Sequence, residues 1–307
     1  MRRKKSVKVS EKKVVKKKKV MKTKTSKVKK SKAKIKKTKK TKIQLSKTDE
    51  SLSAGSGNIL SKPKKKKFSN EKVSSGIKVF DGMVGKGFQK NSTNLALGGV
   101  GSGKTIFAMQ FLIAGMKKNE KCLYLSFDEE KESFYANMKG LGWDLESYEK
   151  KGKFFFLKYT PQKIKTMLEE GGGIIENLVL GKKISRIVMD SITSFLFLFK
   201  DEIDEREAIL SLISLLKKWD STTILTYEGD PLKENESILK TSSRILELES
   251  DSIVLFYFLR NKGERERYLE ILKVKGFKHP TKVYPFSIEK NGIKISKNAF
   301  KGELKAE

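Results

Sequence analysis

The sequence predicts an α/β fold: a mostly parallel central sheet with helices on both faces, closed by an antiparallel β extension at the C-terminal end. Three observations predict it. From residue 94 onward, short apolar runs alternate with stretches of helical periodicity. A glycine-rich turn separates the first run from the first helical stretch. Beyond residue 243 the rhythm shifts, and strand-like runs follow one another across polar turns. Strands alternating with helices form right-handed crossovers, which bury a parallel sheet on both faces.

Taken in order, NLALGG (Asn94–Gly99) is a strand, followed by a helix beginning near Lys104. CLYLSF (Cys122–Phe127) is a second strand, expected beside the first, and precedes a helix through Glu132–Lys139. FFFLKY (Phe154–Tyr159) leads to a third helix around Gln162–Leu178. RIVMD (Arg186–Asp190) leads to a fourth, where Ile209, Leu212, Ile213, Leu216 and Trp219 fall on one helical face. TTILTY (Thr222–Tyr227) follows as a strand. SIVLFYFLR (Ser252–Arg260) and RYLEILKVK (Arg267–Lys275), joined by a polar turn with Gly263, read as a hairpin; TKVYPFSI and GIKIS add short strands. No internal repeat is visible.

Charge divides the 307 residues in two. Residues 1–70 hold 29 of the 68 Lys/Arg and 3 of the 36 Asp/Glu, a net of +26; the remaining 237 residues carry a net of only +6. With almost no large apolar side chains, the first segment cannot offset its ordering entropy, and it repels itself. The reading is a disordered Lys-rich tail over 1–70 and one domain over 71–307. Such a tail either docks on nucleic acid or another polyanion, through residues 1–67, or only solubilises the chain. Lys62–Lys67 (KPKKKK) also fits a nuclear import signal, a match any Lys-rich tail produces.

Composition excludes several classes. The single cysteine, Cys122, allows no internal disulfide or thiolate metal cluster, and its apolar surroundings predict a buried structural thiol. The single histidine, His279, rules out a His-rich metal site. No run approaches 18 apolar residues and no apolar signal region opens the chain, so a soluble, cytoplasmic protein without membrane contact is expected.

Three motifs carry chemistry. Gly98-Gly99-Val100-Gly101-Ser102-Gly103-Lys104-Thr105 matches G-x-x-x-x-G-K-[ST] between a strand and a helix. Glycines there let successive N–H groups turn inward on phosphate oxygens, and the positive end of the following helix favours the same anion. Lys104 is then expected on the β- and γ-phosphates of ATP, and the Thr105 hydroxyl on Mg²⁺. Ile187–Ser191 (IVMDS) ends a strand in Asp190, which serves either as a helix cap or, 85 residues after the loop, as the carboxylate beside Mg²⁺. Asp128-Glu129-Glu130 follows the second strand and reads equally as a water-polarising group or an acidic helix start.

Together these pieces resemble the KaiC-like branch of the RecA superfamily over about residues 73–298. The resemblance rests on VSSGIKVFDGMVGKGF (Val73–Phe88), GGVGSGKTIFAMQFL (Gly98–Leu112), LYLSFDEE (Leu123–Glu130), TTILTYE (Thr222–Glu228) and LEILKVKGFKHPTKVYPFSI (Leu269–Ile288). It implies a RecA-like P-loop NTPase fold and an ATPase. Its paired carboxylates fall on Asp128 and Glu129, with Glu129 activating water. Thr226 and Glu228 fall where the superfamily senses the γ-phosphate.

The resemblance also implies a hexameric ring with ATP at each junction, reached by a neighbour's K-x-R-G-T-x-H segment. Here that segment is Lys273-Val274-Lys275-Gly276-Phe277-Lys278-His279, with lysine for the arginine and phenylalanine for the threonine. Arginine is a bidentate fork and lysine a point charge, so the exchange predicts slower hydrolysis. Read without the resemblance, Lys273 and Lys275 are the wet face of an edge strand, and His279 is a turn residue. The chain has one copy of the domain where the clock proteins have two, GKGF in place of a triple glycine, and no four-cysteine zinc module. The candidates for the mobile DNA-binding loops of strand-exchange recombinases, Ser194–Glu205 and Glu228–Thr241, have aromatic residues only at Phe195, Phe197 and Phe199, in an apolar run read as core, which does not support strand exchange. Two functions follow as expectations: a DNA-associated ATPase, or a slow or inactive regulatory ATP-binding scaffold of the kind found in the archaellum motor.

Overall fold

A computed structural model describes residues 71–232, 244–261 and 263–304. The basic segment 1–70, with its expected tail and polyanion contact, lies outside the described residues, as does most of Glu228–Thr241. The elements in chain order are β1 (Lys72–Val73), α1 (Lys78–Met83), β2 (Phe88–Gln89), β3 (Thr93–Gly98), α2 (Lys104–Lys117), β4 (Cys122–Ser126), α3 (Lys131–Gly140), α4 (Leu145–Lys150) and β5 (Phe154–Lys158). There follow α5 (Pro161–Glu169), α6 (Gly173–Lys182), β6 (Arg186–Asp190), α7 (Ile192–Leu196), α8 (Glu202–Lys218) and β7 (Thr222–Glu228). The C-terminal part holds α9 (Arg244–Glu249), β8 (Ser252–Asn261), β9 (Glu264–Val274), β10 (Val283–Glu289) and β11 (Gly292–Ile295).

The main sheet has nine strands in the order β11-β10-β9-β8-β3-β7-β6-β4-β5. Strands β8, β3, β7, β6, β4 and β5 run parallel, and β9, β10 and β11 extend the sheet antiparallel. Period-two alternation sends Leu95, Leu97, Leu123, Leu125, Ile187 and Met189 to one face, against Ile209, Leu212, Ile213, Leu216 and Trp219 of the α8 region. Ala96, Cys122, Tyr124, Val188 and Ile224 point to the other face, against Phe107, Ala108, Phe111 and Leu112 of α2. Both faces are therefore dry, which is why these strands are apolar throughout.

Two sequence expectations are corrected. Strand β4 does not neighbour the P-loop strand: β3 lies between β7 and β8, and β7 and β6 separate it from β4. The chain runs outward from β3 to β4 and β5, fills in β6 and β7 on its return, and crosses β3 only between β7 and β8, so chain order and spatial order part. The helix expected over 162–178 is two helices, because Gly171, Gly172 and Gly173 all take positive φ, which no right-handed helix continues.

The VSSGIKVFD opening is held by Asp81, whose carboxylate accepts from Ser74 Oγ at 2.5 Å and from Ser75 N at 2.8 Å. Cys122 is buried as expected, and burial pushes its thiol far above the ordinary cysteine range. Phe195 is buried, but Phe197 is 77% exposed, so the apolar run at 195–199 is core only in part. It lies just past the end of α7, where the chain turns outward before α8.

Candidate functional site

Strand β3 and helix α2 present the glycine loop at the carboxyl end of the parallel sheet, where open α/β sheets hold ligands. Gly101 and Gly103 take φ of 72° and 103°, and Gly103 is the N-cap of α2. At Gly98 the chain passes so close to the Phe256 carbonyl that a Cβ would overlap it. Val100 is exposed at the loop crest, and Ser102 is fully buried beneath it, its hydroxyl without a hydrogen-bond partner among the described residues. Lys104 Nζ donates to the carbonyls of Gly98 and Gly99, each at 2.8 Å. Burial pushes the Lys104 ammonium below the ordinary lysine value, against the opposing pull of Glu228 and Asp190.

Asp190 is the hub. Its Oδ2 accepts from Thr105 Oγ1 at 2.7 Å and from the Tyr124 hydroxyl at 2.7 Å, and its Oδ1 accepts from Thr226 Oγ1 at 2.5 Å. Ala96 opposes Thr226, and Ser126 opposes Asp190, so the strand tips of β3, β7, β6 and β4 form one row. The Asp190–Ser191 peptide is cis. Glu228 ends β7, and its backbone N–H donates to Thr193 Oγ1 at 2.7 Å.

The acidic turn after β4 is tied down locally. Ser126 Oγ donates to Glu129 O at 2.8 Å and accepts from Glu129 N at 2.9 Å. Glu129 Oε1 accepts from Asn137 Nδ2 at 2.8 Å and Ser133 Oγ at 3.3 Å, while Asp128 accepts from Ser194 Oγ at 3.1 Å. Glu130 is the N-cap of α3 and pairs with Lys158.

The remaining expected residues stand elsewhere. Lys273 pairs with Ile253 of β8, and Ile253 with Leu95 of β3, so it lies toward the amino end of β3. Three residues of strand, about 10 Å, separate that level from Gly98. Lys273 Nζ donates to Glu247 O and Leu248 O at 2.8 and 2.9 Å, and burial, then Lys275, lowers its pKa. Lys275 faces Asp251 at 3.8 Å, and His279 Nδ1 lies 3.0 Å from Pro280 O. Strand β9 is interior to the sheet, correcting the edge-strand expectation, although its pairing with β10 ends at Glu270.

Sequence reasoning missed Tyr124 and Arg267. Arg267 Nε donates to Gly101 O at 3.0 Å, and its guanidinium sits 4.2 Å over the Phe258 ring, bracing the loop from β9. The signal for Tyr124 was present: period two puts it on one face with Ser126, and it carries the one hydroxyl inside CLYL.

The donor set fits a nucleotide and a hard divalent cation. Glycine backbone, a lysine ammonium and the N-terminus of α2 converge where an anion would lie, and a hydroxyl beside a carboxylate suits Mg²⁺. Among the described residues no cluster of three His, Cys, Asp or Glu could hold another metal, and no helix is long and apolar enough to cross a membrane.

Comparison with known proteins agrees with this geometry. The family model "ATPase: KaiC" matches residues 73–299. The circadian clock protein KaiC3 of Synechocystis is 32% identical over 233 residues, covering 73% of this chain and 45% of that protein. The clock oscillator protein KaiC of Parathermosynechococcus lividus is 30% identical, covering 76% and 42%. The chain thus spans less than half the length of these curated relatives. The crystal structure of a KaiC-like protein from the archaeon Pyrococcus horikoshii superimposes with a TM-score of 0.64 at 31% identity, covering 74% of this chain and 99% of that one. With its nine-stranded sheet, glycine loop and Asp190 hub in the matched segment, the chain belongs to the KaiC ATPase family of the RecA superfamily and carries that family's ATP-binding domain.

Proposed function

We propose that the chain binds ATP with Mg²⁺ and hydrolyses it at a site completed by a second copy, in a hexameric cytoplasmic ring. The observation that carries the reading is the 2.7 Å bond between Thr105 and Asp190 at the mouth of the glycine loop. In the proposed mechanism the N–H groups of Gly99–Thr105 and the Lys104 ammonium hold the phosphates. Thr105 and Asp190 would hold Mg²⁺, which when bound would neutralise charge on the phosphate oxygens. Glu129, steadied through Oε1 by Asn137, takes the proton of the attacking water, with Asp128 beside it. Thr226 and Glu228, at the tip of β7, respond to the γ-phosphate.

A second copy is invoked because Lys273 lies toward the other end of β3 from the loop of its own chain, with Lys275 beyond it against Asp251. The heterologous contacts of a ring would bring this segment and His279 to a neighbour's phosphates. The basic segment 1–67 anchors the assembly on nucleic acid. A second reading, a slow regulatory ATP-binding scaffold without nucleic-acid function, is favoured by two features: Lys273 is engaged with the α9 carbonyls, and position 275 carries lysine where the family segment has a bidentate arginine.

Lys104→Ala tests the nucleotide reading. ATP with Mg²⁺ should raise the melting temperature of the wild-type chain and leave that of the variant unmoved. Equal stabilisation of both would sink the assignment.

A further inference from the structure

We infer that Tyr124 is a positioning residue for the metal-holding carboxylate, its hydroxyl fixing Asp190 Oδ2 toward Thr105. The inference rests on the Mg²⁺-ATP reading and adds to it a residue that neither the glycine loop nor the strand-end aspartate predicts.

The aromatic ring of Tyr124 has its place without the hydroxyl. It stacks on Phe134 with centroids 4.3 Å apart and planes 27° apart, and on Phe156 at 5.9 Å and 15°. A phenylalanine would fill the same slot. Burying the hydroxyl costs free energy unless it finds an acceptor. The acceptor it has is Asp190 Oδ2, the same oxygen that receives the Thr105 hydroxyl. A phenolic hydroxyl is a neutral donor, and an ionised carboxylate can only accept, which fixes the direction of this bond.

The topology makes this a clamp. Strand β6 lies between β7 and β4, and its terminal carboxylate is gripped from both sides: Thr226 of β7 on Oδ1, Tyr124 of β4 on Oδ2. Thr105 is the third donor, and its oxygen must also serve the cation. Tyr124 donates to the carboxylate, and Thr226 donates to it at 2.5 Å with Met189 O farther off at 3.5 Å, so both hold its orientation whether or not Thr105 is engaged. Outer-shell partners of this kind change metal affinity by about 10–100-fold when removed.

The test uses the full chain, with Mn²⁺ as a spectroscopic stand-in for Mg²⁺. Mn²⁺ uptake is followed by electron paramagnetic resonance in saturating ADP, alongside ADP affinity in chelator and the melting temperature without ligands. Tyr124→Phe should keep its metal-free ADP affinity and a cooperative unfolding transition, while its Mn²⁺ midpoint rises about 10–100-fold. Tyr124→Met, flexible and lacking the hydroxyl, carries the same expectation should the first variant unfold. A merely structural role would lower the melting temperature and ADP affinity together and leave the metal midpoint alone. A midpoint within twofold of wild type overturns the inference while the metal site stands. Absence of nucleotide-dependent Mn²⁺ uptake in the wild-type chain overturns the metal reading, and the inference with it.

Discussion

Arg186 meets Glu120 through two parallel hydrogen bonds, Nε to Oε2 at 2.6 Å and Nη2 to Oε1 at 2.8 Å. The guanidinium is otherwise enclosed: Nη1 donates to Ser74 O and Phe111 O, each at 2.7 Å, and the group lies 4.7 Å over the Phe111 ring. Arg186 begins the strand that Asp190 ends, so this pair fixes β6 against α2 and the VSSGI segment. Arg186 is 1% exposed and Glu120 29%. Removing the carboxylate strands a buried cation, and such losses cost about 3–5 kcal/mol. Glu120→Ala should therefore destabilise by about 3 kcal/mol in urea unfolding. A loss below 1 kcal/mol would mean that the backbone acceptors suffice.

Acid should erase part of that difference. Burial opposes ionisation of Glu120, but the hydrogen bonds and charge of Arg186 prevail, with Ser185 and Lys118, and hold its carboxyl below the usual glutamate value. A depressed folded-state pKa stabilises above the unfolded value, about 4.3, and the contribution is lost as pH falls toward the lower folded one. Melting temperatures of wild type and Glu120→Gln should be well separated at pH 7 and converge below about pH 4. A constant gap would show that the pair is held by packing rather than charge.

Much of this was legible in the sequence. The strands were readable because apolar residues fill both sides of a parallel sheet, and the glycine loop because its spacing has a phosphate-binding cause. Strand order was not, since nothing local in CLYLS says that β7 and β6 will lie between it and β3. The break at Gly171–Gly173 was visible as three glycines but was overridden by the apolar periodicity around it. Arg267 and Tyr124 escaped because each acts across strands distant in sequence, Arg267 on Gly101 and Tyr124 on Asp190.

Glu129→Gln should retain nucleotide binding and lose turnover, because an amide cannot take the proton of water. Its fold should survive, as the turn is held by Ser126 through the Glu129 backbone rather than its side chain. Phosphate release and ADP affinity measured side by side decide the matter. If Asp128→Asn is the inactive variant instead, the base is the carboxylate that now bonds Ser194.

Mixing variants tests whether the site is shared. Lys273→Ala removes the proposed trans charge, and Glu129→Gln removes the proposed base. An excess of Glu129→Gln subunits added to Lys273→Ala subunits rebuilds some junctions with both wild-type groups, so hydrolysis should partly recover. No recovery, with a monomeric mass by light scattering in ATP, would favour action within one chain.

The basic segment should bind nucleic acid without sequence preference. Residues 1–70 carry a net of +26 against +6 for the rest, so neutralised phosphates release counterions almost wholly to that segment's account. With 6–10 phosphates engaged, affinity should fall roughly 10³–10⁵-fold between 50 and 200 mM salt. Deleting residues 1–67 removes this contribution and leaves the matched segment 73–299 whole. Fluorescence anisotropy of both forms on two unrelated duplexes, across a salt series, separates the alternatives. The full chain should bind both duplexes alike with a steep salt slope, and the truncated one should lose most of the affinity and the slope. Equal affinity and equal slope in the two forms would make the segment a solubilising extension and move any nucleic-acid contact to the domain itself.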